Sequence, residues 1–262
     1  STYNGLQGLT DAKEYCKLIA PYATSEIYSE SLWNDYVAKY NLTQYDVEQK
    51  KGDVKMKINV HAGHNPDGKV ACVAVGLLYE SFEAREVNDL VVAKLKSLGH
   101  TVYDCTCENG KSQSDVLQKI VKKCNANVVD LDVSIHFNAG AKDAKGNGKT
   151  TGTEVLVYRT GSEAYNVASR IASSISKLGF KNRGVKIRPD LYVLKHTKAP
   201  AVLIECCFVD DKDDVALYNA DSMANAIVKG ITGLDVSKNT IESHEGENGA
   251  NKVPYLVRIV AD

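Results

Sequence analysis

The sequence predicts an α/β domain of three layers, a mainly parallel twisted sheet flanked by helices, preceded by a short helical segment. Two observations carry this reading. Between residues 55 and 234, apolar runs of strand length alternate with longer stretches of helical period. On either side of that span the alternation stops.

The elements follow in order. In residues 1–50, Thr10 and Asp11 start a helix carrying Tyr15, Leu18 and Ile19. Ser31 caps a second with Leu32, Trp33, Tyr36, Val37 and Tyr40. Two short helices cannot bury a core of their own, so this segment is expected to dock on something or to belong to a neighbour. Lys50 to Asp53 reads as a linker, and Met56 to Val60 as a strand. Val87, Leu90, Val91, Leu95 and Leu98 mark a helix over 80–98 that Gly99 ends. His100 to Tyr103 begins a strand, Ser114 to Cys124 is helical, and Leu131 to Phe137 is a buried strand. Gly140 to Gly152, rich in Gly, Lys and Asp, reads as a mobile surface loop. Then come a strand over Thr153–Tyr158, a helix over Ser162–Leu178, an apolar strand over Ala201–Ile204 and a last helix over Ser222–Ile231. Residues 235–252 read as a linker, and Val253 to Val260 as a lone strand opening a further domain. The expected division is 1–50, 54–234 and 235–262.

Composition narrows the function classes. Lys plus Arg number 32 and Asp plus Glu 33, which argues against a strongly basic nucleic-acid binder and an acidic disordered tail. No apolar run reaches the roughly 20 residues of a bilayer span. The chain starts at Ser1 and its first Met is Met56, which points to a piece of a longer product. The cysteines number seven, with no CxxC pair, against both a disulfide scaffold and a four-cysteine zinc site. The adjacent Cys206 and Cys207 suit strand packing better than redox chemistry.

Polar residues stand where strands end. His61 and His64 follow the first strand, His136 closes the strand over 131–137, and Glu205 follows four apolar residues. In open α/β sheets, sites collect outside the carboxyl ends of the strands. Zinc in hydrolases takes three nitrogen or oxygen ligands and keeps one position for water. His64 and His136 qualify as ligands, with one of Glu80, Glu83 and Glu86 as the third. Glu205 qualifies as general base. The competing readings are ordinary: histidines hydrogen-bonded for structure, and glutamates favoured by a helix N-terminus. Glu205 resists such a reading, because a carboxylate behind an apolar strand is costly to bury without a partner.

These residues sit in motifs. Ile58-Asn59-Val60-His61-Ala62-Gly63-His64-Asn65-Pro66 resembles the first metal motif of zinc-dependent N-acetylmuramoyl-L-alanine amidases of autolysins and endolysins. Gly76-Leu77-Leu78-Tyr79-Glu80-Ser81 resembles the segment with the Glu ligand, and Ser134-Ile135-His136-Phe137-Asn138-Ala139 the second His motif. Val202-Leu203-Ile204-Glu205 with Phe208-Val209 resembles the motif of the catalytic Glu. Asn182 to Lys186 and Leu191 to Leu194 match in order, so the resemblance covers 55–233. It implies zinc on His64, Glu80 and His136, with Glu83 as runner-up to Glu80. It implies Glu205 as base and acid, and Asn138 and Tyr192 near the substrate. It also implies bacterial peptidoglycan as the partner, no nucleic-acid or membrane partner, a monomer, and action outside the cytoplasm at the cell wall. The rival functions are a wall-binding module without catalysis and a zinc peptidase acting on the stem peptide.

Two positions depart from the family pattern. His61 stands where the family usually has an acidic residue, which makes it a ligand or a residue orienting His64. Asn65 stands where the family has Gly, which would narrow the mouth of the site. Residues 1–50 resemble the end of a peptidoglycan glucosaminidase domain, and Val253–Asp262 the start of an SH3-like wall-binding module.

Overall fold

The computed structural model describes residues 55–234. The helices expected in 1–50, the 235–252 linker and the strand over 253–260 lie outside the described residues. The described elements are β1 (Lys57–Ala62), α1 (Glu80–Ser97), β2 (Thr101–Asp104), α2 (Gln113–Cys124), β3 (Leu131–Asn138), β4 (Thr153–Val157), α3 (Glu163–Ser176), β5 (Asn182–Ile187), α4 (Tyr192–His196), β6 (Ala201–Phe208), α5 (Lys212–Leu217) and α6 (Ala220–Thr232). Among these residues no helix is long and apolar enough to cross a membrane.

The helix ends obey local chemistry. Ser112 and Ser162 accept a bond from the backbone N–H three residues on, as does Asn219, each replacing a partner the first turn lacks. Gly233 ends α6 in the left-handed conformation at φ 76°.

The six strands lie in the order β2-β1-β3-β6-β4-β5. All neighbours are parallel except β4 and β6, which run antiparallel. Ile58, Val60 and Ala62 of β1, Val133, Ile135 and Phe137 of β3, Val155 and Val157 of β4, and Val202 and Ile204 of β6 bury against α1, α3 and α6. Each of the Val, Ile and Phe side chains among these contributes about 1.5–3 kcal/mol by leaving water. Close approach of α3 and α6 depends on Gly230, where an added Cβ would lie 2.5 Å from Ile171 Cα. Arg170 of α3 donates to the Gly230 and Ile231 carbonyls near the end of α6.

The opposite sheet face is mixed. Leu156 and Leu203 pack there with Val116, Ile120, Val193 and Leu194 of α2 and α4. By strand alternation the same face carries Asn59 and His61, Asp132, Ser134 and His136, Glu154, and Glu205. The β3–β6 register slips between His136–Glu205 and Asn138–Phe208, a bulge in β6. That bulge lets both Cys206 and Cys207 bury as free thiols in the larger core.

Three short elements had no periodic signal: β5, α4 and α5. The segment read as a mobile loop is also tied down. Asp210 accepts from the N–H groups of Gly140, Ala141 and Lys142, and Asp213 from those of Asn147 and Gly148. The buried Asp214 accepts from Phe208 and Gly152 N–H, joining β6 to the entry of β4. Asp214→Ala would strip these donors of their acceptor. A loss of about 2–4 kcal/mol is expected, read from urea unfolding at pH 7.

Candidate active site

The carboxyl ends of β1 and β3 and the first residue of α1 meet at one point. His64 Nε2 lies 3.4 Å from Glu80 Oε1, and His136 Nδ1 lies 3.0 Å from the same oxygen. The two imidazoles meet edge to face with centroids 4.8 Å apart. The three donor atoms lie within 4.8 Å of one another.

Each donor is aimed by its surroundings. Glu80 is buried, its Oε2 accepting from Ala74 N–H at 2.9 Å and its Oε1 from Phe137 N–H at 3.2 Å. Burial works against its charge, but the hydrogen bonds and charges of His136 and His64 outweigh that and hold the carboxyl below the usual range. His136 Nε2 lies 3.0 Å from Ser134 Oγ, which fixes the ring with Nδ1 toward Glu80. Burial lowers the His136 pKa, with Glu80 pulling the other way. Gly63 makes room for that ring, since a Cβ there would lie 2.0 Å from His136 Cε1. His64 sits in the left-handed region at φ 63°, which costs a side-chain-bearing residue about 1–2 kcal/mol.

Of the three competing glutamates, only Glu80 joins the cluster. Glu83 lies against Tyr218, and Glu86 is exposed. His61 is buried one strand away, its Nδ1 3.5 Å from Ser134 Oγ, so its link to the cluster runs through Ser134 and His136. Asn65 does not narrow a mouth. It is buried, with Nδ2 donating to the Val70 and Gly110 carbonyls and Oδ1 accepting from Gly110 N–H, so it staples two loops together.

Glu205 stands beside the cluster, in register with His136 across the β3–β6 pair. Its Oε2 is buried without a hydrogen-bond partner among the described residues. Burial, reinforced by the charges of Glu80 and Glu154 and partly offset by Arg188, pushes its pKa up to about 8. Sequence reasoning missed Glu154, directly opposite Glu205 on β4. Glu154 accepts from Arg183 Nε at 2.8 Å and Asn138 Nδ2 at 3.2 Å, and the Arg183 guanidinium lies over the Phe208 ring. Asn138 is thereby tied to Glu154, which lies across the β4–β6 pair from Glu205. Tyr192 begins α4 on the same side of the sheet, its ring stacked on His196.

Two imidazoles and one carboxylate, converging and turned toward one another by neighbouring groups, form a donor set that suits zinc. The family model of N-acetylmuramoyl-L-alanine amidase matches residues 58–233. The chain belongs to this family. This amidase-family chain is 34% identical to an uncharacterized protein of Clostridium perfringens strain 13 over 205 residues, covering 77% of this chain and 58% of the relative. It is 36% identical to the endolysin of Bacillus phage SPP1 over 146 residues, 53% and 52% of the two chains. It is also 36% identical to the amidase LytC of Bacillus subtilis over 124 residues, 44% of this chain and 23% of LytC. The chain spans about half the length of the first curated relatives it matches. Among solved structures, the catalytic domain of the CD27L endolysin targeting Clostridia Difficile superposes with a TM-score of 0.60 at 29% identity, over 68% of this chain and 97% of that one.

Two outcomes are expected. Gly63→Ala would push the His136 ring off Glu80 and weaken binding of a divalent cation more than tenfold by calorimetry, with the far-UV spectrum retained. His61 is held neutral by burial, helped by the His136 charge, with its pKa down to about 3 from 6.5. The unfolded chain therefore binds this proton first, and stability falls as pH drops from 6.5 toward 3. The slope from this group is at most about 1.4 kcal/mol per pH unit. His61→Asn should flatten the stability profile between about pH 6.5 and 5, read by urea unfolding across that range.

Proposed function

We propose that this chain hydrolyses the amide between the lactyl group of N-acetylmuramic acid and L-alanine in bacterial peptidoglycan, with zinc held by His64, Glu80 and His136. The observation that carries the reading is the convergence of those three donors with a second carboxylate, Glu205, whose Oε2 is buried and unpartnered beside them. Family membership supports the choice of bond, and the endolysin and amidase relatives support action on the cell wall, outside the cytoplasm.

Zinc, when bound, supplies a Lewis acid for the scissile carbonyl and lowers the pKa of water toward neutrality. Glu205 does the proton work. It takes a proton from the attacking water as the water oxygen bonds to the carbonyl carbon. It gives that proton to the alanine nitrogen as the carbon–nitrogen bond breaks, leaving a muramyl carboxylic acid and a free amine. A pKa near 8 holds Glu205 protonated at neutral pH in the absence of a cation, and positive charge at the donor cluster brings it down. A group poised between its two forms serves both steps. Glu154, Asn138 and Arg183 keep the neighbouring sheet surface polar. Asn138 and Tyr192 would line the groove that takes the glycan-linked peptide.

Glu205→Gln is expected to keep one zinc per chain and lose about 10²- to 10⁴-fold in kcat. Near-normal turnover would remove Glu205 from this role. Peptidoglycan digested by the wild-type chain should gain amino-terminal alanine and no reducing sugar ends. Another new amino-terminal residue would point to a stem peptidase, and no new end group to a wall-binding module.

A further inference from the structure

Two of the three donors come from separate parts of the chain. His64 lies on the loop after β1, and Glu80 opens α1 sixteen positions later. Arg85, one and a half turns into α1, bonds to both regions. Its Nη2 donates to the His64 carbonyl at 3.0 Å and to the Cys107 carbonyl at 2.9 Å. Its Nη1 donates to the Ser81 carbonyl, next to Glu80, at 2.9 Å. Its Nε faces Glu108 at 3.2 Å, so its charge is balanced away from the donors.

We propose that Arg85 is a positioning residue that sets the His64 and Glu80 donors relative to one another before the metal arrives. It rests on the reading that these donors hold zinc. His64 is held at φ 63°, and a side-chain-bearing residue stays there only where its surroundings over-determine it. The neighbouring N–H groups are engaged: Gly63 donates to Ile135 and Asn65 to Ala71. The bond from Arg85 secures the His64 carbonyl and completes the set. The Cys107 bond extends the brace to the segment after β2, where Thr106 Oγ1 accepts from Ala62 N–H at the end of β1. One planar fork thus joins the β1 loop, the β2 exit and the first turn of α1. A lysine ammonium at this position lacks the fork and cannot reproduce all three bonds. Arg85 touches neither the donor atoms nor Glu205, so it acts only through where it holds the backbone.

The test is zinc affinity rather than turnover. The full chain is stripped with a chelator and titrated with zinc against a chromogenic competitor, as wild type, Arg85→Met and Arg85→Lys. Arg85→Met is expected to weaken zinc binding 10- to 100-fold, as loss of a group supporting a ligand does, with Arg85→Lys between. The visible spectrum of the cobalt(II)-substituted Arg85→Lys protein is expected to shift, because His64 relaxes. A merely structural role would lower the melting temperature of the metal-free and loaded forms together and leave the zinc Kd unchanged. That result overturns the proposal and leaves the proposed function standing. A wild-type chain that takes up no zinc overturns both. If Arg85→Met does not fold, the Arg85→Lys affinity and spectrum decide alone.

Discussion

A carboxylate that is only 3% exposed stays ionised only where donors replace its water, and Glu80 has them on every side. Ala74 and Phe137 offer backbone N–H groups, and His64 and His136 bring their rings. Those partners come from the loop before α1, from β3 and from the loop after β1. Satisfying one buried charge therefore draws three chain segments to the same sheet edge. The hydrogen bonds that stabilise this carboxylate are also what arrange the donor cluster.

The sheet makes that meeting possible by treating its two faces differently. In β1 and β3 every second residue is apolar and packs under α1, α3 and α6. The alternate residues, Asn59, His61, Asp132, Ser134 and His136, lie on the other face. That row is not open to water: Asn59, His61, Asp132 and Ser134 are buried, and His136 is half-buried. Buried members of the row are paired: Asn59 donates to Asp132 and to the Cys124 carbonyl, and His136 leans on Ser134. Glu205 is the exception, with one oxygen left bare. An unpartnered buried carboxylate oxygen is a cost to folding, and such groups gather at functional sites.

Direction of the chain completes the site. β6 is parallel to β3, which puts Glu205 level with His136, whereas β4 runs antiparallel and sets Glu154 against Glu205. Burial, the Glu80 charge and the Glu154 charge together raise the affinity of Glu205 for a proton. Arg183, held over Phe208, bonds to Glu154 on the side away from Glu205's own strand.

The long helices and the apolar strands were legible in the sequence because periodicity over ten or more residues reflects which face is buried. The residues proposed to carry the chemistry, His64, Glu80, His136 and Glu205, were legible because polar side chains stood at strand ends and in motifs with a known order. Choosing Glu80 over Glu83 and Glu86 took the family resemblance, since all three suit a helix N-terminus equally. What only the tertiary structure decided is long-range. The reversal of β4 against β6, the strand β5, the short helices and the pinning of 140–152 by Asp210, Asp213 and Asp214 leave no periodic trace, because each depends on partners up to about seventy residues away. Asn65 and Arg85 make the same point at single residues. Their bonds run to backbone groups of distant segments, and a backbone carbonyl has no letter in the sequence to announce it.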